Sequence, residues 1–319
     1  MEKKRILVVG LGPCGGIIAA HLASGGHLLY GVDASEKHVA EIRRSGLRIE
    51  NHVSLQVRLR EQDTRLEKLS KMDAAYAIIA VKTPNLRHVL TELKKIPGSF
   101  RIVLAQNGID VEDMAAEFFP AERILRMVLY YGGAIVSPGV VRMNFFQEPN
   151  YVGCLCGRGS CGHADEFAMM MTLSGLKTSA VGDIKKYAWE KGILNAVLAP
   201  IAAVLGANMA EVMNIAATRS LVEALLQESI RVGQAAGHDF GKDFFAHCLS
   251  FLLQAGHHKP SMLNDLQNGD LTEIDTINGR IVEYAKKLAV PAPLNAAFTA
   301  LIKAKEHLAA VPPNDRCKK

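Results

Sequence analysis

The first half of the chain alternates short apolar runs with segments of helical periodicity. The apolar runs predict buried strands at 5–10, 28–33, 74–82 and 101–108. Between them, apolar residues recur at helical spacing over 15–26, 35–46 and 86–96. Because the runs are apolar on both faces and alternate with helices, they predict a mostly parallel sheet covered by helices. Further β-rich runs over 121–155, around a Ser-Pro-Gly at 137–139, predict added antiparallel strands.

The pattern changes after about residue 182, where β-branched runs almost vanish. Helical periodicity dominates from there on, at 188–206, 218–237, 241–256 and 273–290. The sequence therefore predicts an α/β protein with an N-terminal Rossmann-type domain, residues 1–182, and an all-helical C-terminal domain, residues 183–319.

Composition excludes several classes of protein. With 49% hydrophobic and 22% charged residues, the profile is that of a soluble globular protein. A net charge of +5 is too weak to imply nucleic acid and suits an anionic small molecule. Six cysteines without disulfide-framework spacing indicate a reducing compartment.

No membrane segment is predicted either. The apolar stretch 193–210 is interrupted by Pro200 and two asparagines, so it reads as a buried helix rather than a membrane span. The apolar core at the N-terminus is too short for a signal peptide, and we expect a cytoplasmic protein.

A glycine-rich loop follows the first predicted strand. Gly10, Gly12 and Gly15 have the spacing G-x-G-x-x-G at a strand-to-helix junction, where a helix N-terminus can bind a pyrophosphate. Asp33 ends the second strand, where a carboxylate accepts both ribose hydroxyls and repels a 2′-phosphate. The loop predicts a dinucleotide site, and Asp33 favours NADH over NADPH. Alternatively, Asp33 caps a turn or helix.

Polar residues also end the third and fourth predicted strands. Lys82 could contact cofactor or substrate, or be an exposed lysine at a strand end. Asn107, in an Asn-Gly pair, could hold a nicotinamide or a substrate oxygen, or form a turn.

The helical half carries a second set of candidates. Lys191 and Asn195 are four residues apart and share one face of an apolar helix, where a partly buried lysine can act as a general acid or simply snorkel. Glu273 follows Asp270 by three residues, which is typical of a capping box but leaves Glu273 able to face a cleft. Ser261 lies on a preceding segment.

A cysteine cluster suggests a metal site but does not have the residue spacing of a zinc site. Cys154, Cys156, Cys161 and His163 match no common zinc pattern, so core or loop cysteines are expected and no metal is predicted.

In order along the chain, these motifs resemble those of the ketopantoate reductase (2-dehydropantoate 2-reductase) family. The matching pieces are GLGPCGG, AVKTPN, QNG, SPG, WEKGILN, SMLND (261–265) and TEIDTINGRIVEYAKKLAVPAPLN (272–295). The resemblance implies reduction of ketopantoate to pantoate by NADPH or NADH, in pantothenate and coenzyme A biosynthesis. It also implies that the helical domain binds substrate, and it leaves a homodimer open.

Roles carried over by this resemblance are residue-specific. Lys191 resembles the general acid, and Glu273 the carboxylate that orients it or a substrate hydroxyl, with a cofactor contact of its own. Asn107 and Asn195 resemble amides that position substrate or nicotinamide, Ser261 a ligand of the substrate carboxylate, and Lys82 a cofactor contact.

The chain departs from the family in three places. Ala199 replaces a frequent asparagine, Asp33-Ala34 stands where an arginine often binds the 2′-phosphate, and 140–148 lack the expected Gly/His-rich run. Two alternatives therefore stay open: a related 2-oxo-acid or opine-type dehydrogenase, and a non-catalytic nucleotide sensor.

Overall fold

The computed structural model describes residues 2–69, 72–155, 161–254 and 256–310. By its internal contacts the chain forms two compact units. The first contains Met1–Gln106 and Asp110–Ile184, and the second contains Asn107–Ile109 and Lys185–Lys319. The functional domains predicted from sequence, 1–182 and 183–319, stay a prediction; the short segment 107–109 groups here with the helical residues.

The first unit is built on strands and the helices that cover them. The strands are β1 (Arg5–Val9), β2 (Leu28–Val32), β3 (Leu47–Asn51), β4 (Leu55–Val57), β5 (Glu61–Asp63), β6 (Tyr76–Ile79), β7 (Arg101–Leu104), β8 (Ile124–Val128), β9 (Tyr131–Ser137), β10 (Val140–Phe146), β11 (Asn150–Cys154) and β12 (Thr178–Ala180). The helices are α1 (Pro13–Ser24), α2 (Glu36–Ser45), α3 (Thr83–Leu93), α4 (Val111–Ala116) and α5 (Gly162–Leu173).

The main sheet has the order β12-β11-β8-β7-β6-β1-β2-β5. All its pairings are parallel except that of β11 with β8. This confirms the predicted α/β class and the mostly parallel sheet. The glycine loop follows β1, and the loops that carry Lys82 and Gln106 follow β6 and β7, so all three leave the same edge of the sheet.

The antiparallel prediction for 121–155 is correct only in part. β11 joins the main sheet antiparallel to β8, but β9 and β10 form a hairpin in a second sheet of order β4-β3-β10-β9. In that sheet β10 runs parallel to β3, which the sequence analysis did not identify.

Helix α1 packs against strands of both sheets, and its residues Gly15–Leu22 are all buried. A helix with apolar residues on every side is stable only when it is covered on every side. The second sheet therefore explains the composition of the segment that follows the glycine loop.

The second unit is helical, as predicted. Its helices are α6 (Ile184–Leu205), α7 (Met209–Asn214), α8 (Ala216–Ala235), α9 (Phe244–Leu253), α10 (Ser261–Asn268), α11 (Asn278–Leu288) and α12 (Pro293–Ala310). Within the described ranges, α6 is the one helix long and apolar enough to cross a membrane, and 67% of its apolar window is buried in the protein. Its burial matches the prediction of a core helix.

Two cysteines form a disulfide that was not predicted. Cys154, buried at the end of β11, is bonded to Cys161, which precedes α5. Core or loop cysteines were expected, and their spacing alone does not show that these two Cα atoms lie only 6.3 Å apart, within reach of a disulfide. Cys156 lies outside the described residues.

Candidate active site

The glycine loop has the backbone geometry of a phosphate-binding turn. Gly10 has a φ of +92°, and a Cβ at this position would lie 2.9 Å from the Ala80 carbonyl carbon. A Cβ at residue 15 would collide with the Gly10 carbonyl oxygen. At Gly12, by contrast, a Cβ would meet nothing within 4 Å. Gly10 and Gly15 are needed for packing within the loop. The space at Gly12 lets a ligand approach the backbone.

Gly12 is also the N-cap of α1, whose first turn carries no acidic side chain and begins with Pro13. A helix N-terminus without a side-chain cap presents partial positive charge to an anion. The residues therefore fit the pyrophosphate of a dinucleotide.

Asp33 and His38 hold the loop from two sides. The Asp33 carboxylate accepts hydrogen bonds from the backbone N–H of Leu11 at 2.8 Å and of Ser35 at 2.9 Å. On the other side of Leu11, its carbonyl oxygen lies 3.1 Å from His38 Nε2, and the Gly139 N–H donates to His38 Nδ1 at 3.0 Å. Because Nδ1 accepts, the neutral ring carries its proton on Nε2 and donates it to Leu11.

Asp33 therefore does accept hydrogen bonds from nearby backbone N–H groups, which is the capping role that the sequence left open as an alternative. A carboxylate has about four acceptor positions, so two backbone bonds leave capacity for ribose hydroxyls. His38 was missed by sequence reasoning, and no local signal marks it, because its partners lie on the loop after β1 and in the Ser-Pro-Gly turn.

Lys82 is half-buried and forms the N-cap of α3. It follows β6, which pairs with β1, so it lies one strand away from the glycine loop. This is the placement expected for a cofactor-side residue, and its role stays a prediction.

In the helical unit, Asn107 and Glu273 are in direct contact. The Asn107 Nδ2 donates to a carboxylate oxygen of Glu273 at 3.1 Å, and Glu273 is 9% exposed. The structure does not have the capping box raised as an alternative: Glu273 precedes a short 3₁₀ turn, Ile274–Thr276, and α11 begins only at Asn278. The Glu273 carboxylate is thus directed to another segment rather than to a helix end.

Helix α6 packs against the same segment. The Ile109 N–H donates to the Thr276 carbonyl at 2.8 Å. A Cβ at residue 192 would lie 2.6 Å from Ile109 Cγ1, so only glycine allows this approach without a shift. Lys191 is therefore adjacent in sequence to a residue in close contact with the segment that carries Asn107. Lys191 and Asn195 are both half-buried, one helical turn apart on α6.

The carboxyl that precedes Lys191 lies in a weakly solvated environment. Burial raises the pKa of Glu190, although Lys186, 3.9 Å away, favours the ionised form. Burial also raises the pKa of the Cys248 thiol to about 12, so this cysteine is a packing residue.

Ser261 is exposed at the first position of α10, after Pro260. Among the described residues, no hydrogen bond joins it to Asn107 or Glu273. Over the described ranges there is also no group of three or more His, Cys, Asp or Glu residues that could hold a metal ion.

Comparison with known proteins agrees with these observations. Residues 6–157 match the family model described as ketopantoate reductase PanE/ApbA, and residues 183–306 match that of its C-terminal domain. A 2-dehydropantoate 2-reductase of Aquifex aeolicus is 26% identical over 95% of this chain and 97% of its own. One from Pyrococcus abyssi is 28% identical over 95% and 98%.

Solved structures show the same fold. A PanE/ApbA family ketopantoate reductase from Ralstonia eutropha superposes with a TM-score of 0.87, covering 96% of this chain and all of its own, at 20% identity. D-Mandelate dehydrogenase, solved with NADH and anilino(oxo)acetate, gives a TM-score of 0.85 at 25% identity, covering 97% of this chain and 100% of its own. The chain therefore belongs to the ketopantoate reductase family of oxidoreductases.

Proposed function

We propose that this enzyme reduces 2-dehydropantoate to pantoate with a nicotinamide cofactor, in pantothenate and coenzyme A biosynthesis. The relatives with that activity in their names align over 95% of the chain. The observation that carries the proposal is the Asn107–Glu273 contact, held beside the turn of α6 that presents Lys191. A non-catalytic nucleotide sensor would need none of these groups.

The glycine loop is proposed to bind the cofactor. Gly10, Gly12 and Gly15 shape the turn, the N-terminus of α1 faces the pyrophosphate, and Asp33 accepts the ribose hydroxyls. Lys82 contacts the cofactor from the loop after β6. A reduced nicotinamide bound in this domain supplies the hydride that adds to the C2 ketone.

In the helical unit, Lys191 donates a proton to the ketone oxygen, so that the C=O group becomes CH–OH. Its positive charge also stabilises the negative charge that develops on this oxygen. Asn195 and Asn107 orient the substrate. Glu273 fixes Asn107 through their hydrogen bond, orients Lys191 or a substrate hydroxyl, and contributes to cofactor binding. Ser261 donates to the substrate carboxylate.

NADH is the proposed cofactor in preference to NADPH. The Asp33 carboxylate is held in place by Leu11 and Ser35, where it would repel a 2′-phosphate. D-Mandelate dehydrogenase, similar over nearly the whole chain, was solved with NADH.

That neighbour also favours a second candidate substrate, another 2-oxo acid. Ala199, buried on α6, stands where the family often has an asparagine, so this position has apolar surface in place of an amide. A larger or less polar 2-oxo acid would suit that surface.

The test is a substrate panel. Purified protein is mixed with ketopantoate, with aryl and alkyl 2-oxo acids, and with NADH or NADPH, and loss of reduced-nicotinamide absorbance is followed. We expect the highest kcat/KM with ketopantoate and NADH. A higher value for an aryl 2-oxo acid selects the second candidate, and no turnover of any 2-oxo acid rejects both. A cytoplasmic location and a homodimer remain part of the proposal.

A further inference from the structure

Helix α6 contains Pro200 in its interior, on the C-terminal side of Lys191 and Asn195. Proline has no backbone N–H, so the carbonyl four residues earlier loses its helical donor. That carbonyl belongs to Ala196, which is 0% exposed, so water cannot replace the missing donor. A buried carbonyl of this kind requires another partner.

Asn278 supplies it. Its Nδ2 donates to the Ala196 carbonyl oxygen at 2.9 Å and to Asn295 Oδ1 at 2.9 Å. Because both partners are acceptors, the orientation of the Asn278 amide is determined. Asn278 is itself 0% exposed, so the side chain has no freedom to turn away.

Asn295, the second acceptor of the Asn278 amide, is itself held by Glu228. Asn295 Nδ2 donates to Glu228 Oε1 at 2.8 Å, and the same oxygen accepts the Asn295 N–H at 2.7 Å. The other Glu228 oxygen accepts the Leu294 N–H at 3.1 Å. Glu228, from α8, thereby caps α12. It also holds Asn295, which in turn accepts the hydrogen bond from Asn278.

Asn278 connects the two segments that carry the proposed catalytic groups. On one side, Ala196 directly follows Asn195 on α6. On the other, Asn278 begins the helix that follows Glu273 and the Thr276 carbonyl, which holds Ile109. The Asn278–Ala196 bond thus joins the helix that carries Lys191 and Asn195 to the start of the helix that follows Glu273.

We propose that Asn278 is a positioning residue for the reduction, and that it compensates for the donor Pro200 lacks. This inference rests on the proposed function. It makes a specific prediction: since Pro200→Ala restores a backbone N–H to Ala196, it should replace one of the two bonds that Asn278 donates and so reduce the effect of losing Asn278.

The experiment is a double-mutant cycle of Asn278→Leu and Pro200→Ala in the full-length protein. With the preferred 2-oxo acid, we expect Asn278→Leu to lower kcat at least tenfold while the Kd for the cofactor changes less than twofold. Pro200→Ala alone should change kcat less than threefold. The double variant should recover at least fivefold in kcat over Asn278→Leu.

The matched control is Ile302→Ala, a core truncation on α12, alone and with Pro200→Ala. If Pro200→Ala restores kcat equally in this background, the rescue is general stabilisation and the proposal is wrong. It is also wrong if Asn278→Leu keeps kcat within twofold, or if the double variant shows no recovery.

A second readout does not depend on the proposed function. The unfolding equilibrium constant is measured for all four members of the cycle. A coupling of at least fivefold in that constant, with Pro200→Ala reducing the loss caused by Asn278→Leu, supports the shared bond even when the substrate panel shows no turnover. Additive effects overturn it. Failure of the panel alone therefore rejects the function and not the Asn278–Ala196 connection.

Discussion

At the scale of single residues, the lysine on α6 carries the clearest expectation. Lys191→Ala removes the side chain that we propose as the proton donor and as the positive charge near the developing alkoxide. We expect kcat to fall about 10²–10⁴-fold, the usual effect of losing a general acid. The Kd for the cofactor should stay within twofold, because the glycine loop belongs to the other unit.

Steady-state rates and cofactor titration measure the two quantities separately. Lys287→Ala, an exposed lysine on α11, is the control and should keep kcat near that of the wild type. Near-wild-type turnover in Lys191→Ala would assign proton donation to another group.

Asp33 gives a second prediction at this scale. Asp33→Asn keeps an oxygen that can accept the Leu11 N–H but removes the negative charge. We expect the ratio of kcat/KM for NADH to that for NADPH to decrease about tenfold, the equivalent of about 1.4 kcal/mol of repulsion. If the wild type already prefers NADPH tenfold, Asp33 acts only as a cap.

What the sequence could predict differs from residue to residue. Asp33 and the glycines were identified because their spacing has a local physical meaning. Glu273 was selected from its motif, but its contact with Asn107 could not be predicted, since the two residues are 166 positions apart. His38 and Asn278 could not be found, because each bonds to backbone atoms that only the folded chain brings near.

At the scale of elements, His38 connects α2 to two loops, the glycine loop after β1 and the turn between β9 and β10. His38→Leu would leave the Leu11 carbonyl and the Gly139 N–H buried without this partner. Each lost bond costs about 0.5–1.5 kcal/mol. We expect the Kd for NADH to rise about tenfold with little change in KM for the oxo acid.

Isothermal titration calorimetry with NADH checks this expectation. His88→Leu, an exposed histidine on α3, serves as the control. Unchanged NADH affinity in His38→Leu would mean that Asp33 alone holds the loop.

Sequence periodicity located four parallel strands of the main sheet, β1, β2, β6 and β7, and most helices, but it did not locate β5, β12 or the second sheet. Strand β3 pairs with β10, Arg48 opposite Val140, and nothing in the local pattern announces a partner so distant in sequence. The start of α11 was misplaced for a related reason: Asp270 and Glu273 have capping-box spacing, yet a 3₁₀ turn intervenes. The capping box is instead formed by Asn208 and Glu211 at α7.

At the scale of the whole molecule, buried histidines make stability depend on pH. Burial lowers the pKa of His21, although its Nδ1 bonds the Ser174 carbonyl at 2.9 Å. Burial also lowers the pKa of His27 and of His258. A histidine with a lowered pKa binds its proton more weakly in the folded state, so the unfolded chain holds more protons below about pH 6.5.

The free energy of unfolding should therefore decrease as the pH falls through about 6.5 towards the lowered values. Urea denaturation at several pH values measures the slope. His21→Gln can still donate to Ser174 but does not titrate, so its slope should be smaller than that of the wild type. An identical slope would show that His21 does not contribute.

The close approach of Gly192 to Ile109 also bears on how this enzyme can evolve. Because a Cβ at 192 would overlap the Ile109 side chain, the two positions are not free to vary independently. Gly192→Ala should be tolerated only after Ile109 has become smaller, so the order in which the two mutations arise matters. Such epistasis beside the proposed general acid restricts the paths by which the chain could acquire a new substrate, and a library randomising both positions together would reach variants that single-site libraries miss.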